Sequence, residues 1–324
     1  MKMNSEIKAM LLEVGSVDID ESLIKTTRST AGPDAGSISV FFRSGGHRVR
    51  LEIDKKSPLK AIKDDGEIVI LNNGMEIARG FLEKAPSHCP EQAYITISEC
   101  CIYDCKFCPV PKLNGKIKTI NEIISIVEMA RKTGNMKAIS LTTGVAKSPE
   151  DEVERVAKVV MELKRYGVPI GVSVCPTKNS SEILKSAGAD EIKYNVETMD
   201  PDIYKEVVHK GIPLDFILNS LENAVEVFGK NKVYSNFIIG MGETDEAVEK
   251  GVKKLTSIGV IPLLRPINIH PLRKNEIKAT RPSAKRLLKL ALITRKAMYK
   301  HGFRTDLSKT MCLSCAGCDL TLKV

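Results

Sequence analysis

The stretch "AYITISECCIYDCKFC", residues 93–108, decides how the rest of the chain is read. Its first six residues form an apolar run of strand length, and four cysteines follow within nine positions, 100–108. A strand that runs straight into a thiol-rich loop puts ligating groups at its C-terminal end, where βα-barrels build their active sites. Cys101, Cys105 and Cys108 are spaced C-x3-C-x2-C, with Phe107 before the last. Cys100 stands outside that spacing and reads as a strand-end side chain or a spare ligand.

Outward from this stretch, apolar strands alternate with amphipathic helices. Strands are expected at 93–98, 138–143, 169–174, 190–196, 233–239 and 260–268, with helices near 119–133, 150–166, 180–187, 214–228 and 245–257. Ile120, Ile123, Ile124, Val127 and Ala130 show the three- and four-residue repeat of a helix with one buried face. Repeated βα units imply a parallel sheet with right-handed crossovers. Six strands are too few for the closed eight-stranded barrel, so the expected fold is α/β, a partial (β/α)6 TIM-like barrel over 89–305. A last helix at 283–300 turns Leu287, Leu290, Ala291 and Met298 inward, and 306–324 is an extension carrying Cys312, Cys315 and Cys318. Residues 1–88 read differently. The runs "SISVFF", "HRVRLEI", "EIVIL" and "MEIARGFL", separated by turns such as "RSGG" and "LNNG", predict a small β-rich N-terminal unit. The loop "RSTAGPDAGS" (28–37) lacks the Lys-Ser/Thr ending of a P-loop and reads as a surface loop.

At 324 residues and 43% hydrophobic, the chain can bury one large domain with additions. No run of about 18 uncharged apolar residues is present, and Lys2, Glu6, Lys8 and Glu13 break up the first twenty positions. A soluble cytoplasmic protein without signal peptide or membrane contact is therefore expected. In a reducing cytosol its nine cysteines are read as metal ligands or catalytic thiols rather than disulfides. The net charge of +9 is uneven: residues 251–324 hold 16 Lys and Arg against Glu276, Asp306 and Asp319. A field of that sign suits an anionic small molecule or an acidic carrier protein. With no Trp and 5% aromatics, nucleic acid ranks below both.

A structural zinc site takes four ligands, usually as two separated pairs, which one loop of three cysteines does not supply. A 4Fe-4S cube held by three thiolates leaves one iron open to a cofactor. Here the sequence resembles the radical S-adenosylmethionine (SAM) superfamily, whose C-x3-C-x2-C signature with a preceding aromatic is matched by Cys101, Cys105, Phe107 and Cys108. The resemblance implies that the open iron chelates the amino and carboxylate groups of SAM, and that the reduced cluster cleaves it to methionine and a 5′-deoxyadenosyl radical. It further implies that Thr142, Thr143 and Gly144 bind the SAM amino group, and that Ile239 and Gly240 in "FIIGMGET" (237–244) pack the adenine. Asn195 and Glu197, two apart on one strand face, would hold the ribose, or else cap the strand end. "RPINIHP" (265–271) resembles the sixth strand of a biotin synthase, and the likeness covers roughly 93–305.

The likeness then departs from biotin synthase. Only Cys175, in "SVCP", stands where that family's second, in-barrel cluster takes cysteines, and Thr142, Thr143 and Tyr234 fill comparable places. Instead Cys312, Cys315 and Cys318, spaced C-x2-C-x2-C, suggest an auxiliary 4Fe-4S cluster. A zinc knot completed by Cys89, His88 or His301 is the alternative. Two clusters imply sulfur insertion into an unactivated carbon, as in lipoyl and biotin synthases and the archaeal two-component lipoyl synthases. The implied partners are a small-molecule or acyl-carrier substrate such as an acidic lipoyl domain, a reductant such as ferredoxin or flavodoxin, and a second radical SAM subunit. A radical SAM mutase, lyase or methylating enzyme without sulfur transfer, and a non-enzymatic iron-sulfur protein, stand as alternatives. Arg265, His270, Arg273 and Arg304 are candidate anion contacts. A radical generator needs few substrate-specific acid-base groups, so substrate identity leaves little trace in the sequence.

Overall fold

The computed structural model describes residues 1–24, 27–28, 32, 35–85 and 88–321. Helix α1 (Ser5–Val14) starts where the Asn4 side chain accepts from the Ile7 N–H, and stops at Gly15 in the left-handed region. Strands β1 (Ser16–Ile19), β2 (Thr27–Arg28), β3 (Ile38–Ser44), β4 (His47–Ile53), β5 (Leu59–Asp64), β6 (Glu67–Asn72) and β7 (Met75–Glu83) follow. They pair in the order β3-β4-β1-β5-β6-β7, and β7 returns to β3 through Phe41–Glu83, Phe42–Leu82 and Arg43–Phe81, so six strands close a ring. Closure removes the unpaired edges that an open sheet of this size would expose. The four strands expected here are present. Four further elements, α1, β1, β2 and β5, escape sequence reading because each is short or heavily charged. Half of the 28–37 loop, residues 29–31 and 33–34, lies outside the described residues.

The second unit is a run of βα repeats. Its strands are β8 (Gln92–Thr96), β9 (Ala138–Thr142), β10 (Ile170–Ser173), β11 (Glu191–Lys193), β12 (Val233–Ile239) and β13 (Ile261–Pro266), all parallel and in sequence order. Among the described residues no ladder joins β8 to β13, so the barrel is open on that side. Helices α2 (Ile120–Arg131), α3 (Pro149–Leu163), α4 (Ser180–Ala187), α5 (Pro201–Val207), α6 (Leu214–Phe228), α7 (Asp245–Ser257) and α8 (Ala284–Lys300) cover the outside, and α9 (Met311–Cys315) lies in the tail. Outward residues such as Ile95, Leu141, Val172, Ile192 and Phe237 share one core with the helices. The two units also share a core: Leu287 and Ala291 of α8 and Leu320 of the tail pack with Leu11, Val17, Phe42 and Leu51 of the ring. The strand expected at 190–196 is shorter, because the chain leaves the ladder after Lys193 and Glu197 takes a left-handed φ of 63°. Helices α5 and α9 are additions to the expected set, both being too short for a periodic signal.

The tail fills the open barrel. Backbone N–H groups of Lys309 and Thr310 donate to Glu191 of β11, and Met311 donates to Gln92 of β8 and Ser140 of β9. A Cβ on Gly171 of β10 would stand 2.0 Å from the Thr310 hydroxyl, so the barrel wall is bare at the point where the tail crosses it. Beyond Met311 the chain runs out beside β8 and β13, and the ring closes over it: Arg50 N–H donates to Gly317 O, and Lys8 Nζ to Ala316 O at 2.6 Å.

Candidate active site

At the C-terminal ends of the strands lies a cleft with about 1210 Å³ of empty volume. It brings together Cys101, Cys105, Cys108, Thr142, Thr143, Gly144, Asn195 and Glu197, all expected from the sequence, with Cys175, Lys210, Asn236, Ile238 and Arg265. The cysteine loop is held by backbone donors. Val145 N–H points at Cys101 Sγ at 3.5 Å and His209 N–H at Cys105 Sγ at 3.3 Å. Burial pushes the Cys105 thiol up to about 11 and Cys108 to about 12, so a metal that takes their thiolates must displace protons.

Gly144 is where the second strand meets this loop. Its N–H donates to Ser98 O, and a Cβ there would lie 2.1 Å from the Cys100 carbonyl oxygen. Thr143 braces the turn from behind, donating to the buried Glu152 carboxylate at 2.6 Å. Asn195 accepts the Asn236 N–H at 3.2 Å through Oδ1, which is strand-end capping. Glu197 pairs with Lys210 at 2.8 Å. Burial disfavours the Lys210 cation, but Glu197, Cys105 and Cys175 outweigh it and hold its pKa above the ordinary lysine value.

Ile239 and Gly240 do not reach this cleft. Ile239 is fully buried on the other face of β12, beside Leu264, Leu287 and Leu290, and the Gly240 N–H is taken by Glu243 Oε1 at 2.7 Å. Strand alternation gives the inner face to Asn236 and Ile238 instead, a signal already present in "VYSNFII". Among the four candidate anion contacts, Arg265 lines the cleft. Arg273 is a clamp: buried, it reaches Cys108 O at 2.8 Å, Glu276 at 2.6 Å and Asp104. His270 caps the Pro271–Arg273 turn, accepting from Leu272 N–H, and Arg304 pairs with Asp306.

A second chamber is lined by Cys89, Cys312, Cys315 and Cys318, with His88, Tyr94, Arg265 and Asp319. His301 does not line it. Cys312 Sγ accepts from Arg265 Nη1 at 3.4 Å and from Lys193 Nζ at 3.5 Å. Arg265 therefore belongs to both spaces, and Tyr94, hydrogen-bonded to Thr142 of the first, faces the second.

The residues fit an anionic iron-sulfur cluster with a bound cofactor. Three thiols, two of them with aimed N–H donors, stand beside the Lys210 cation, next to a glycine too tightly packed for a side chain. The buried Asn236 Oδ1 at the same cleft has no hydrogen-bond partner among the described residues. Cys101, Cys105 and Cys108 would hold the cluster.

Residues 95–255 match the Radical SAM superfamily, and the chain is a member of that superfamily of enzymes. Within it, the curated relatives include lipoyl and biotin synthases. A lipoyl synthase from Caldanaerobacter subterraneus subsp. tengcongensis is 29% identical over 171 residues, covering 51% of this chain and 59% of that protein. A biotin synthase from Alkalilimnicola ehrlichii is 30% identical over 178 residues, covering 52% of this chain and 51% of that protein. The chain thus spans little more than half the length of these relatives. Methylornithine synthase superposes with a TM-score of 0.51 at 20% identity, covering 65% of this chain and 69% of that one, which shows the shared fold. Among the described residues no helix is long and apolar enough to cross a membrane.

Proposed function

We propose that the protein cleaves SAM at Cys101, Cys105 and Cys108 and uses the resulting radical to insert sulfur into an unactivated carbon, as its lipoyl and biotin synthase relatives suggest. When bound and reduced, the first cluster supplies the electron that breaks the SAM sulfonium bond and yields the 5′-deoxyadenosyl radical. A second cluster on Cys312, Cys315 and Cys318 would supply the sulfur.

The observation that carries this reading is the shared wall. Arg265 faces the SAM cleft and also donates to Cys312, so the two sets of thiols stand on either side of one side chain. On the cleft side of that wall Asn195, Glu197 and Lys210 would position the nucleoside, and the apolar Phe107, Val110 and Ile238 would exclude water. The basic run 251–324 supports an acidic carrier domain as substrate, with a ferredoxin or flavodoxin as reductant.

Anaerobic reconstitution tests it. The native chain should bind two clusters, cleave SAM under reduction, and pass labelled sulfur from its own sulfide to the product. The C312A/C315A/C318A variant should cleave SAM and transfer none. Iron and sulfide intact after a turnover would instead favour a radical enzyme without sulfur transfer.

A further inference from the structure

The chamber beside β8 and β13 holds one more thiol than the tail provides. Cys89 stands just before β8, on the far side of the whole barrel sequence from the tail cysteines, and is 1% exposed. It packs in one buried cluster with Cys315, and it lines the same chamber as Cys312, Cys315 and Cys318. Four cysteines therefore face one space.

One further observation points to a guest there, and it is charge. Lys193 and Arg265 both donate to Cys312 Sγ, and the buried Lys8 and Arg48 stand near Cys315. Arg48 is already paired with Glu83 and Glu91 and Lys8 lies near Asp319, so the two donors to Cys312 are the ones that would hold the thiolate of an anionic guest better than a neutral thiol. Asp319 lines the same chamber at 1% exposure, and its Oδ2 has no hydrogen-bond partner among the described residues. Among those residues, no three His, Cys, Asp or Glu side chains converge on one point as a single ion requires. The thiols surround a space instead.

We propose that Cys89 joins Cys312, Cys315 and Cys318 as the fourth thiolate of the auxiliary iron-sulfur cluster, which then has no open iron in the resting protein. This rests on the reading of the tail thiols as cluster ligands given above. Thiolate is the better fourth ligand than the Asp319 carboxylate, since soft sulfur donors suit iron-sulfur clusters and hard oxygen donors do not. The two clusters would differ in kind: three ligands and a free corner where SAM binds, four ligands and none beside Arg265.

The test uses the full chain carrying C101A/C105A/C108A, so that only the second site can fill. After anaerobic reconstitution it should hold about four iron and four sulfide per chain, and potassium cyanide should leave the EPR spectrum of the reduced cluster unchanged. Adding C89S should lower the iron content or shift the spectrum, while D319N should do neither. An unchanged count and spectrum in C89S overturns the proposal, as does a cyanide-induced shift in the chain that keeps Cys89. Retention of zinc, or of no metal, overturns it too. Should C89S fail to fold by circular dichroism, the cyanide titration decides alone. Transfer of labelled sulfide by the native chain is a separate measurement: a chain that ligates through Cys89 and transfers no sulfur refutes the sulfur-insertion reading only.

Discussion

Gly144 shows how tightly a single residue is fixed. A Cβ at this position would sit 2.1 Å from the Cys100 carbonyl oxygen, so Gly144→Ala must push the turn away from the cysteine loop. Overpacking of this kind costs about 1–3 kcal/mol. The expected outcome is a lower melting temperature and weaker SAM binding by calorimetry, with less bound iron. Cys175 offers a pH test. Burial pushes its thiol up to about 11, and only the thiolate reacts with iodoacetamide. Its alkylation in the metal-free protein should be slow at pH 8 and rise about tenfold per pH unit toward 11, whereas an unperturbed thiol levels off above about 8.5. Mass-spectrometric rates across that range would show an early plateau if burial does not govern this thiol. Residues of these kinds differ in legibility. The three proposed ligand cysteines declare themselves because the motif is local, within one loop. Lys210 does not, because its partner Glu197 meets it only after α5 folds the chain back.

At the scale of elements, the first thiol loop depends on a segment far down the chain. Arg273, in the turn after β13, bonds Cys108 O, which lies 165 residues earlier, together with Asp104 and Glu276. Arg273→Ala should shorten the half-life of loop-bound iron under chelator several-fold. Arg273→Lys should restore it only in part, since an ammonium cannot present the planar fork that reaches three acceptors. Equal half-lives in all three proteins would remove the clamp. This role is invisible in the sequence, because an arginine on a loop reads as a surface charge until its partners are known. Glu191 does similar work for the tail, accepting from Lys309 N–H, Thr310 N–H and the Thr310 hydroxyl. Burial raises its pKa. A raised carboxyl pKa makes its contribution to stability greatest below the unfolded value and smaller as pH climbs through the folded one. Glu191→Gln should therefore flatten the pH dependence of tail protection as pH climbs above the ordinary carboxylate value, and should loosen residues 309–318 by about 1–3 kcal/mol at most. Hydrogen exchange of the tail amides reads both.

For the whole molecule, the barrel repeats are legible because each strand, and each helix but the short α5, announces itself within about fifteen residues. The closed ring is legible in four of its six strands, which alternate or run apolar over strand lengths, whereas β1 and β5 are recognised only by their partners. The packing of the tail into the barrel is not legible at all, since it rests on contacts such as Gln92–Met311 and Lys8–Ala316 that span 219 and 308 residues. The basic C-terminal quarter carries a prediction at this scale. Association with an acidic carrier domain should weaken about tenfold between 50 and 300 mM salt through a slower on-rate, while turnover of a small uncharged substrate analogue stays constant. Stopped-flow binding at several ionic strengths would show a flat on-rate if the field plays no part.

The tail's position also has a kinetic meaning. Contacts across some three hundred residues form late, because the chain must close its longest loops before they are rewarded. The thiol loop at 101–108 needs only its own barrel, while the chamber at 312–318 needs barrel and ring both assembled. Its completion is thus a report on the folding of the entire chain, and mild denaturant should empty the distal thiol set before the proximal one.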